Sequence, residues 1–442
     1  MPNNIEKNNN LNKPQFSAKN FLFVSLESLS GDLAWKIKNE GHEVKVFIKS
    51  ERDQDVYDGF LDKVDDWQKN KDWADIIVFD DVGFGGFSDA LRKEGKLVVG
   101  GSKYTDKLEE DREFGQNEMK QVGMSVLPHW DFSDFDSAIE FIKSNPTHYV
   151  FKPSGNVPSE QKGILFLGQE EDGKDIIEIL EQNKKTWAKK IKKFQLQKMA
   201  VGVEVAVGAF FNGQDFIFPI NINFEHKKLF PGDIGPYTGE MGTLMYWSPQ
   251  NEIFRNTLLK IKPKLMESGY IGYIDINCIA NAKGIYPLEF TCRFGYPTIS
   301  IQMEGVVSEW GEFLYKLAKK EILDLKTKKG FQIGVIVVVP PWPYEDKKET
   351  FIYKDLSILF KKPNLEGVHL GDVKLINGVW SIAGETGYAL VITGSGLTVD
   401  DARKQVYSRL KNIMLQNMYY RTDIGLKWYQ DSDRLQTWGY LY

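Results

Sequence analysis

Residues 269–297 read GYIGYIDINCIANAKGIYPLEFTCRFGYP, two strand-like runs joined by a turn. With a period of two, Ile276 and Cys278 on the first run and Leu288, Phe290 and Cys292 on the second fall on a core face. Asp275 and Asn277, then Glu289, Thr291 and Arg293, fall on the other. A symmetric turn over 281–284 sets Asp275 across from Glu289, with Cβ atoms about 5 Å apart. Opposed carboxylates repel, so a pair held this way asks for a cation between them. Oxygen donors, in a chain with five His and two Cys, point to Mg²⁺. Arg293 on the same face would aim at an anion held by that metal. A solvated polar face with one Asp/Arg pair is the plainer alternative, and the pattern alone leaves both open. Pro287 favours an edge strand or a bulge.

The surrounding 442 residues are long enough for two or three domains, and 42% hydrophobic with 26% charged residues is an ordinary globular balance. A net charge of −5 supplies no basic field for nucleic acid. Both cysteines sit on the apolar face as free thiols, which fits a reducing, cytoplasmic setting. No apolar run reaches membrane-spanning length, the start MPNNIEKNNNLNK lacks the apolar core of a signal peptide, and residues 1–17 read as a disordered tail.

Strand runs at 20–25, 43–48, 75–80 and 97–99 alternate with helices over 32–39 and 87–94, a doubly wound α/β pattern closing near residue 101. Its crevice belongs at the carboxyl ends of the strands, near 26–31 and 80–86. Helices follow over 107–122 and 136–143. A strand at 149–152 then enters the Gly- and Ser-bearing loop 153–163, where Lys152 and Lys162 could meet a phosphate or simply be solvated. One long run over 194–209 turns at Asn212-Gly213 and returns over 216–222. Within it, 197–200 offers backbone groups to a purine edge and Glu204 could reach a ribose. The stretch 226–242, HKKLFPGDIGPYTGEMG, has four glycines and two prolines and is read as a shaped loop without regular structure. Helices over 251–267 and 305–319 follow, and the charged run 326–329 marks a boundary. Strands at 332–339 and 388–393 and a helix over 399–414 then read as a separate α+β domain.

Four blocks, in order, resemble phosphoribosylamine–glycine ligase, an ATP-grasp family. GGSKYTDKLEEDREFGQNEMKQVGM (100–124) is similar to the family's GPSKxAAxLEGSKxFAKxFMxxxGI, and the 226–242 loop to its HKR…DGDxGPNTGGMG. LEFTCRFGYP (288–297) is similar to EFNxRFGDPE, and the segment from Gly387 to the closing YYRTDIG (419–425) follows its C-terminal pattern. The resemblance spans roughly 20–426. It implies an α/β and α+β multidomain chain: an N-terminal α/β domain over 18–101, an ATP-grasp domain over 102–326 with its small lobe near 125–199, a C-terminal α+β domain over 327–429, and a tail over 430–442.

The resemblance also implies roles. Arg112, Lys152 and Lys162 would hold ATP phosphates, Gln197 and Ala200 the adenine, and Glu204 the ribose. Glu289, with Asp275, Asn277 and Thr291, would bind Mg²⁺ or Mn²⁺. Arg293 and Lys152 would flank the transferred phosphate, and His226 and Asp233, with Lys227 and Lys228, would shape the carboxylate and amine sites. Of four departures, the first two concern the amine. The N-terminal GGREHAL motif is replaced by SLESLSGDLAW and GPEAPL by DDVGFG; Thr291 stands for an Asn, and Glu240 for a Gly. The implied activity is an ATP-dependent carboxylate–amine ligase acting through an acyl phosphate, with a small-molecule carboxylate such as glycine and a diverged amine. The alternatives are the family's own reaction and a non-catalytic ATP-binding protein. No nucleic acid or membrane partner is expected, and monomer or dimer is left open.

Overall fold

The computed structural model describes residues 16–154, 164–322, 324–344 and 346–442. Lys162 and nearly all of the expected N-terminal tail lie outside the described residues. The first unit is a parallel sheet of β1 (Asn20–Ser25), β2 (Glu43–Ile48), β3 (Asp62–Lys63), β4 (Ile76–Phe79) and β5 (Leu97–Val99), in the order β3-β2-β1-β4-β5. Phe21, Leu22, Phe23 and Val24 are all buried, as a parallel strand covered on both faces requires. Because the order reverses on either side of β1, the crevice opens at the carboxyl ends of β1 and β4. There the Asp80 carboxylate accepts from Ser25 Oγ (2.8 Å), Ser30 N (3.0 Å) and Ser30 Oγ (2.6 Å), tying the two loops together.

The single helix expected over 107–122 is two, Lys103–Glu110 and Arg112–Gln121. Asp111 separates them, its carboxylate capping the second by accepting from Phe114 N at 3.1 Å. A small antiparallel sheet follows, made of β6 (His129–Phe132), β7 (Tyr149–Ser154), β8 (Phe166–Leu167) and β9 (Lys193–Lys198). Helices Phe135–Ser144 and Lys174–Lys190 cover one face, where Phe135, Ile139, Phe151, Leu180, Phe194 and Leu196 form a separate core. By alternation Lys152, Gln195 and Gln197 take the opposite face.

The run expected to be one strand over 194–209 passes between two sheets: β9 stops at Lys198, and 199–202 links it to β10 (Val203–Phe211). β10 turns through Asn212-Gly213 into β11 (Phe216–Glu225); Gly213 sits at φ +87°, which explains its place in the turn. The loop expected to lack regular structure contains a small hairpin, β12 (Lys228–Phe230) with β13 (Ile234–Tyr237), because Gly232 and Asp233 at positive φ close a turn between them. The chain continues through β14 (Gly242–Ser248), β15 (Gly272–Asn281), β16 (Gly284–Thr291), β17 (Phe331–Val338), β18 (Ser357–Phe360), β19 (Val368–Leu370), β20 (Val373–Ile376), β21 (Val379–Ile382), β22 (Tyr388–Gly396) and β23 (Ile413–Met414).

The large sheet runs β16-β15-β10-β11-β14-β17-β22-β19. The C-terminal region, expected as a separate domain, therefore shares this sheet: β17 pairs with β14 on one side and β22 on the other. Among the described residues, only β20-β21-β18-β23 forms a sheet of its own there. Three helix limits also differ. Thr257 divides 252–267, Gly305 ends helix Thr298–Gly305 before the next begins at Trp310, and the last long helix stops at Leu410. The expected C-terminal tail is helical over Trp428–Thr437, held by Trp428 against Phe224, Tyr246 and Phe331 at ring-centroid distances of 5.2, 5.4 and 5.0 Å. Cys278 and Cys292 are free and buried. Among the described residues no helix is long and apolar enough to cross a membrane.

Candidate active site

The β15–β16 hairpin starts from the two-residue turn Ala282-Lys283, with Asn281 paired to Gly284, a register that by itself would set Asp275 across from Phe290 and not Glu289. Pro287 pairs with Cys278 but has no N–H to give the ladder, and Leu288 is inserted as an extra residue before Asn277 meets Glu289. Asp275 consequently faces Thr291, and Glu289 faces Asn277; the expected Asp275–Glu289 opposition does not occur. Leu288, expected in the core, lines a cleft beside Arg112. The four polar residues still share one face, which forms the wall of a cavity of ≈ 390 Å³.

Carboxylates from β11 and the following loop close on that wall. Glu225 ends β11 and Lys227 lies two residues on, so both side chains point into the cavity, where Glu240 joins them. Lys227 Nζ pairs with Glu204 Oε1 at 3.4 Å and Glu225 Oε2 at 3.5 Å. Burial, reinforced by Glu225, pushes the Asp275 carboxyl up to about 8. Burial also raises Glu225 and Glu240, with Lys227 only partly offsetting it. Asp275 Oδ1 and Asn277 Oδ1 are buried with no hydrogen-bond partner among the described residues. Buried acids around one lysine, with oxygens left unsatisfied, form a donor set that a hard divalent cation completes. The oxygens that could receive Mg²⁺ here are those of Asp275, Glu289 and the neighbouring Asn277 and Thr291, although among the described residues no three His, Cys, Asp or Glu side chains are grouped closely enough to hold a metal ion by themselves.

Across the cleft, Lys152 on β7 donates from Nζ to Gln197 Oε1 at 2.7 Å. Its pKa is pushed down to about 7, by burial first and then by Arg112. Arg112 begins its helix 3.9 Å from Glu289. Arg293 is clamped from the first part of the chain: its Nε is 3.1 Å from Glu109 Oε1 and 3.1 Å from Asp81 Oδ1. Glu109 also accepts from Cys292 N at 2.6 Å, so the guanidinium and its backbone are fixed together.

Residues 110–299 match the domain family phosphoribosylglycinamide synthetase, ATP-grasp (A) domain. The central part of the chain is an ATP-grasp domain. Phosphoribosylamine–glycine ligase of Streptococcus pneumoniae is 25% identical over 414 residues, 89% of this chain and 96% of the relative. The Helicobacter pylori enzyme is 28% identical over 357 residues, 77% of this chain and 79% of the relative. The structure of phosphoribosylamine–glycine ligase from Thermotoga maritima superposes with a TM-score of 0.68 at 20% identity, covering 92% of this chain and all of that one. A Campylobacter jejuni biotin carboxylase–ATP complex gives 0.61 at 14% identity over 95% of this chain and 97% of the other. The chain resembles phosphoribosylamine–glycine ligase over most of its length, and it shares its fold with the biotin carboxylase.

Within the ATP-grasp frame, the structure brings Lys152, Arg112, Gln197, Glu204, Asp275, Asn277, Glu289, Thr291 and Arg293 around the cleft between the two sheets. His226 and Asp233 are not brought there. His226 follows Glu225 on the alternate face, is 1% exposed, and has its pKa pushed down to about 4 by burial together with Lys427 and Arg421. Asp233 lies on the β12–β13 turn, 3.0 Å from Arg421 Nη1 and paired with Lys427. Arg421 is fully buried, also bonds Asp423 at 2.7 Å, and donates to the Lys228 carbonyl at 2.8 Å. The closing RTDIG motif is therefore an anchor for the loop. Sequence reading missed Glu225, Glu109 and Asp81: Glu225 lies outside the quoted motifs, Asp81 is on a loop, and Glu109 sits inside the 100–124 block on the helix Lys103–Glu110. The i, i+2 spacing of Glu225 to Lys227 at a strand end was the available sign for one of them.

Proposed function

We propose that the protein is an ATP-dependent ligase that joins a carboxylate to an amine. The observation that supports this best is the convergence of Glu225, Asp275, Glu289 and Arg293 in one cavity, with Lys152 across the cleft. In this reading residues 18–101 and 327–429 border an ATP-grasp domain over 102–326, whose small lobe near 125–199 closes on ATP. Lys152 and Arg112, with Lys162, hold the phosphates; the 197–200 segment takes the adenine edge and Glu204 the ribose. Bound at Asp275, Glu289, Asn277 and Thr291, Mg²⁺ or Mn²⁺ would supply neutralising charge to the phosphates.

The substrate carboxylate oxygen attacks the γ-phosphorus and the bond to ADP breaks, leaving an acyl phosphate. The amine nitrogen then attacks the acyl carbon, phosphate departs, and the amine's proton passes to water. The chain supplies position and charge, with Arg293 held beside the transferred group by Asp81 and Glu109. A second reading, favoured by the names of the relatives, is their own joining of phosphoribosylamine to glycine. Positional isotope exchange tests the first half-reaction: ATP labelled with ¹⁸O in the β,γ-bridge should scramble its label only when a competent carboxylate, such as glycine, is present. Scrambling that ignores carboxylates, or none across a panel of amino acids, would overturn the reading.

A further inference from the structure

Beyond the Asp275–Glu289 wall, the same cavity extends to an end built from both termini of the chain. Glu27, Ser28 and Asp53 come from loops after β1 and β2, and Asp372, Thr386 and Tyr388 from the β19–β22 region. Asp372 is buried, accepting from Ser28 Oγ at 3.3 Å and from Thr386 Oγ1, two neutral donors. Asp53 is 2% exposed and its Oδ1 has no partner among the described residues; the Tyr388 hydroxyl, on a residue 7% exposed, likewise has none. Both line the cavity. Tyr388 also stands between two other lining rings, 5.3 Å from Tyr296 and 5.4 Å from Trp342. Arg52, the cation at this end, pairs with Glu27 at 3.4 Å.

Carboxylates with unfilled acceptors beside aromatic faces are the chemistry that takes an ammonium or guanidinium group, and they repel a phosphate. Resting on the ligase reading for the other end of the cavity, we propose that the amine substrate carries a second cationic group, which Asp372 and Asp53 receive. One nitrogen gives up its proton to attack; the other keeps its charge and positions the molecule. Burial, with Asp53 adding to it, pushes the Asp372 carboxyl up to about 8, the state of a carboxylate whose counter-ion is not in place. No phosphate group is needed on the amine.

Calorimetric titration of the full chain with putrescine, n-butylamine and inorganic phosphate, in the presence of Mg²⁺ and ADP, tests this without requiring turnover. Putrescine is expected to bind at least tenfold more tightly than n-butylamine. Asp372→Asn and Asp53→Asn should each remove most of that preference while still unfolding cooperatively and at no lower temperature than wild type. Equal affinity for the two amines, no binding of putrescine, or phosphate binding to the wild-type protein that competes with putrescine would overturn the proposal. Selective putrescine binding in a protein that fails the isotope-exchange test would refute the ligase reading and leave a diamine-binding site without a ligase reaction; carboxylate-dependent exchange without amine preference would overturn this proposal alone.

Discussion

Asparagine at position 275 should make the metal-free protein more stable and the protein with metal and nucleotide less so. Asp275 is 3% exposed, and its carboxyl rises from 3.8 to about 8 in the fold. A raised carboxyl binds more protons folded than unfolded, so its contribution is fully present below pH 3.8 and is lost as pH rises to about 8. Across that window the slope is about 1.4 kcal/mol per pH unit, which amounts to ~4 kcal/mol by pH 7. Asparagine does not titrate, and Thr291 can still donate to its Oδ1; burying the new amide N–H₂ returns ~1–2 kcal/mol of cost. Asp275→Asn should therefore gain ~2–3 kcal/mol in EDTA at pH 7. Wild type should instead be stabilised by Mg²⁺ with a non-hydrolysable ATP analogue, by about 2.7 kcal/mol at a hundredfold excess over the dissociation constant, and the variant should lose that response. Thermal unfolding at pH 6, 7 and 8, in EDTA and in Mg²⁺ with the analogue, reads both effects. A variant less stable than wild type in EDTA at pH 8, or one that keeps the full metal response, would refute the metal-site assignment.

Glu289→Gln should lower ligation at least a thousandfold, about 4 kcal/mol of transition-state stabilisation, with little change in melting because the side chain is half exposed; ADP release measures it, and activity within threefold of wild type would count against the metal role. Lys152 titrates near pH 7, so metal-free nucleotide should bind more tightly as pH falls from 8 to 6, and calorimetry of Lys152→Ala should show weaker binding with that trend flattened. The loss should exceed that of Lys162→Ala, because Lys152 is held on a strand. Arg421→Ala leaves Asp233 and Asp423 without their buried partner and should cost ~3 kcal/mol in chemical denaturation, whereas unchanged stability would mean the β12–β13 hairpin holds itself.

Local chemistry was legible and long-range pairing was not. β1, β2 and β5 match their sequence readings because each is a short apolar run bounded by turn residues, and Asn212-Gly213 marks its hairpin by the positive φ it must supply. That Asp275 shares a face with Asn277, and Glu289 with Thr291, follows from a period of two within each strand. Their register does not, since one inserted residue at Leu288 exchanges every cross-strand partner. Nothing in the 326–329 charge run says that β17 will join β14 rather than start a new sheet. The family resemblance implies a place in the site for His226, but alternation gives the cavity to its neighbours Glu225 and Lys227.

Charge at the cavity explains why these features belong together. Among the described residues, eight carboxylates and three cations line it, and each of these cations already has an acidic partner: Lys227 holds Glu204 and Glu225, Arg293 holds Asp81 and Glu109, and Arg52 holds Glu27. Such a cavity has little positive charge to offer an incoming phosphate, yet the proposed reaction brings triphosphate to its edge. The excess negative charge must be met from outside the chain, by a divalent cation at the Asp275 end and by the substrate's own positive charge at the Asp372 end. Both ends leave buried oxygens unsatisfied, on Asp275 and Asn277 in one case and Asp53 in the other. Those oxygens mark where the two kinds of cation differ. Hard ligands grouped on one strand pair suit a metal, whereas carboxylates beside the Tyr296, Trp342 and Tyr388 rings suit an organic cation, because an aromatic face attracts an alkylammonium and offers no ligand atom to Mg²⁺.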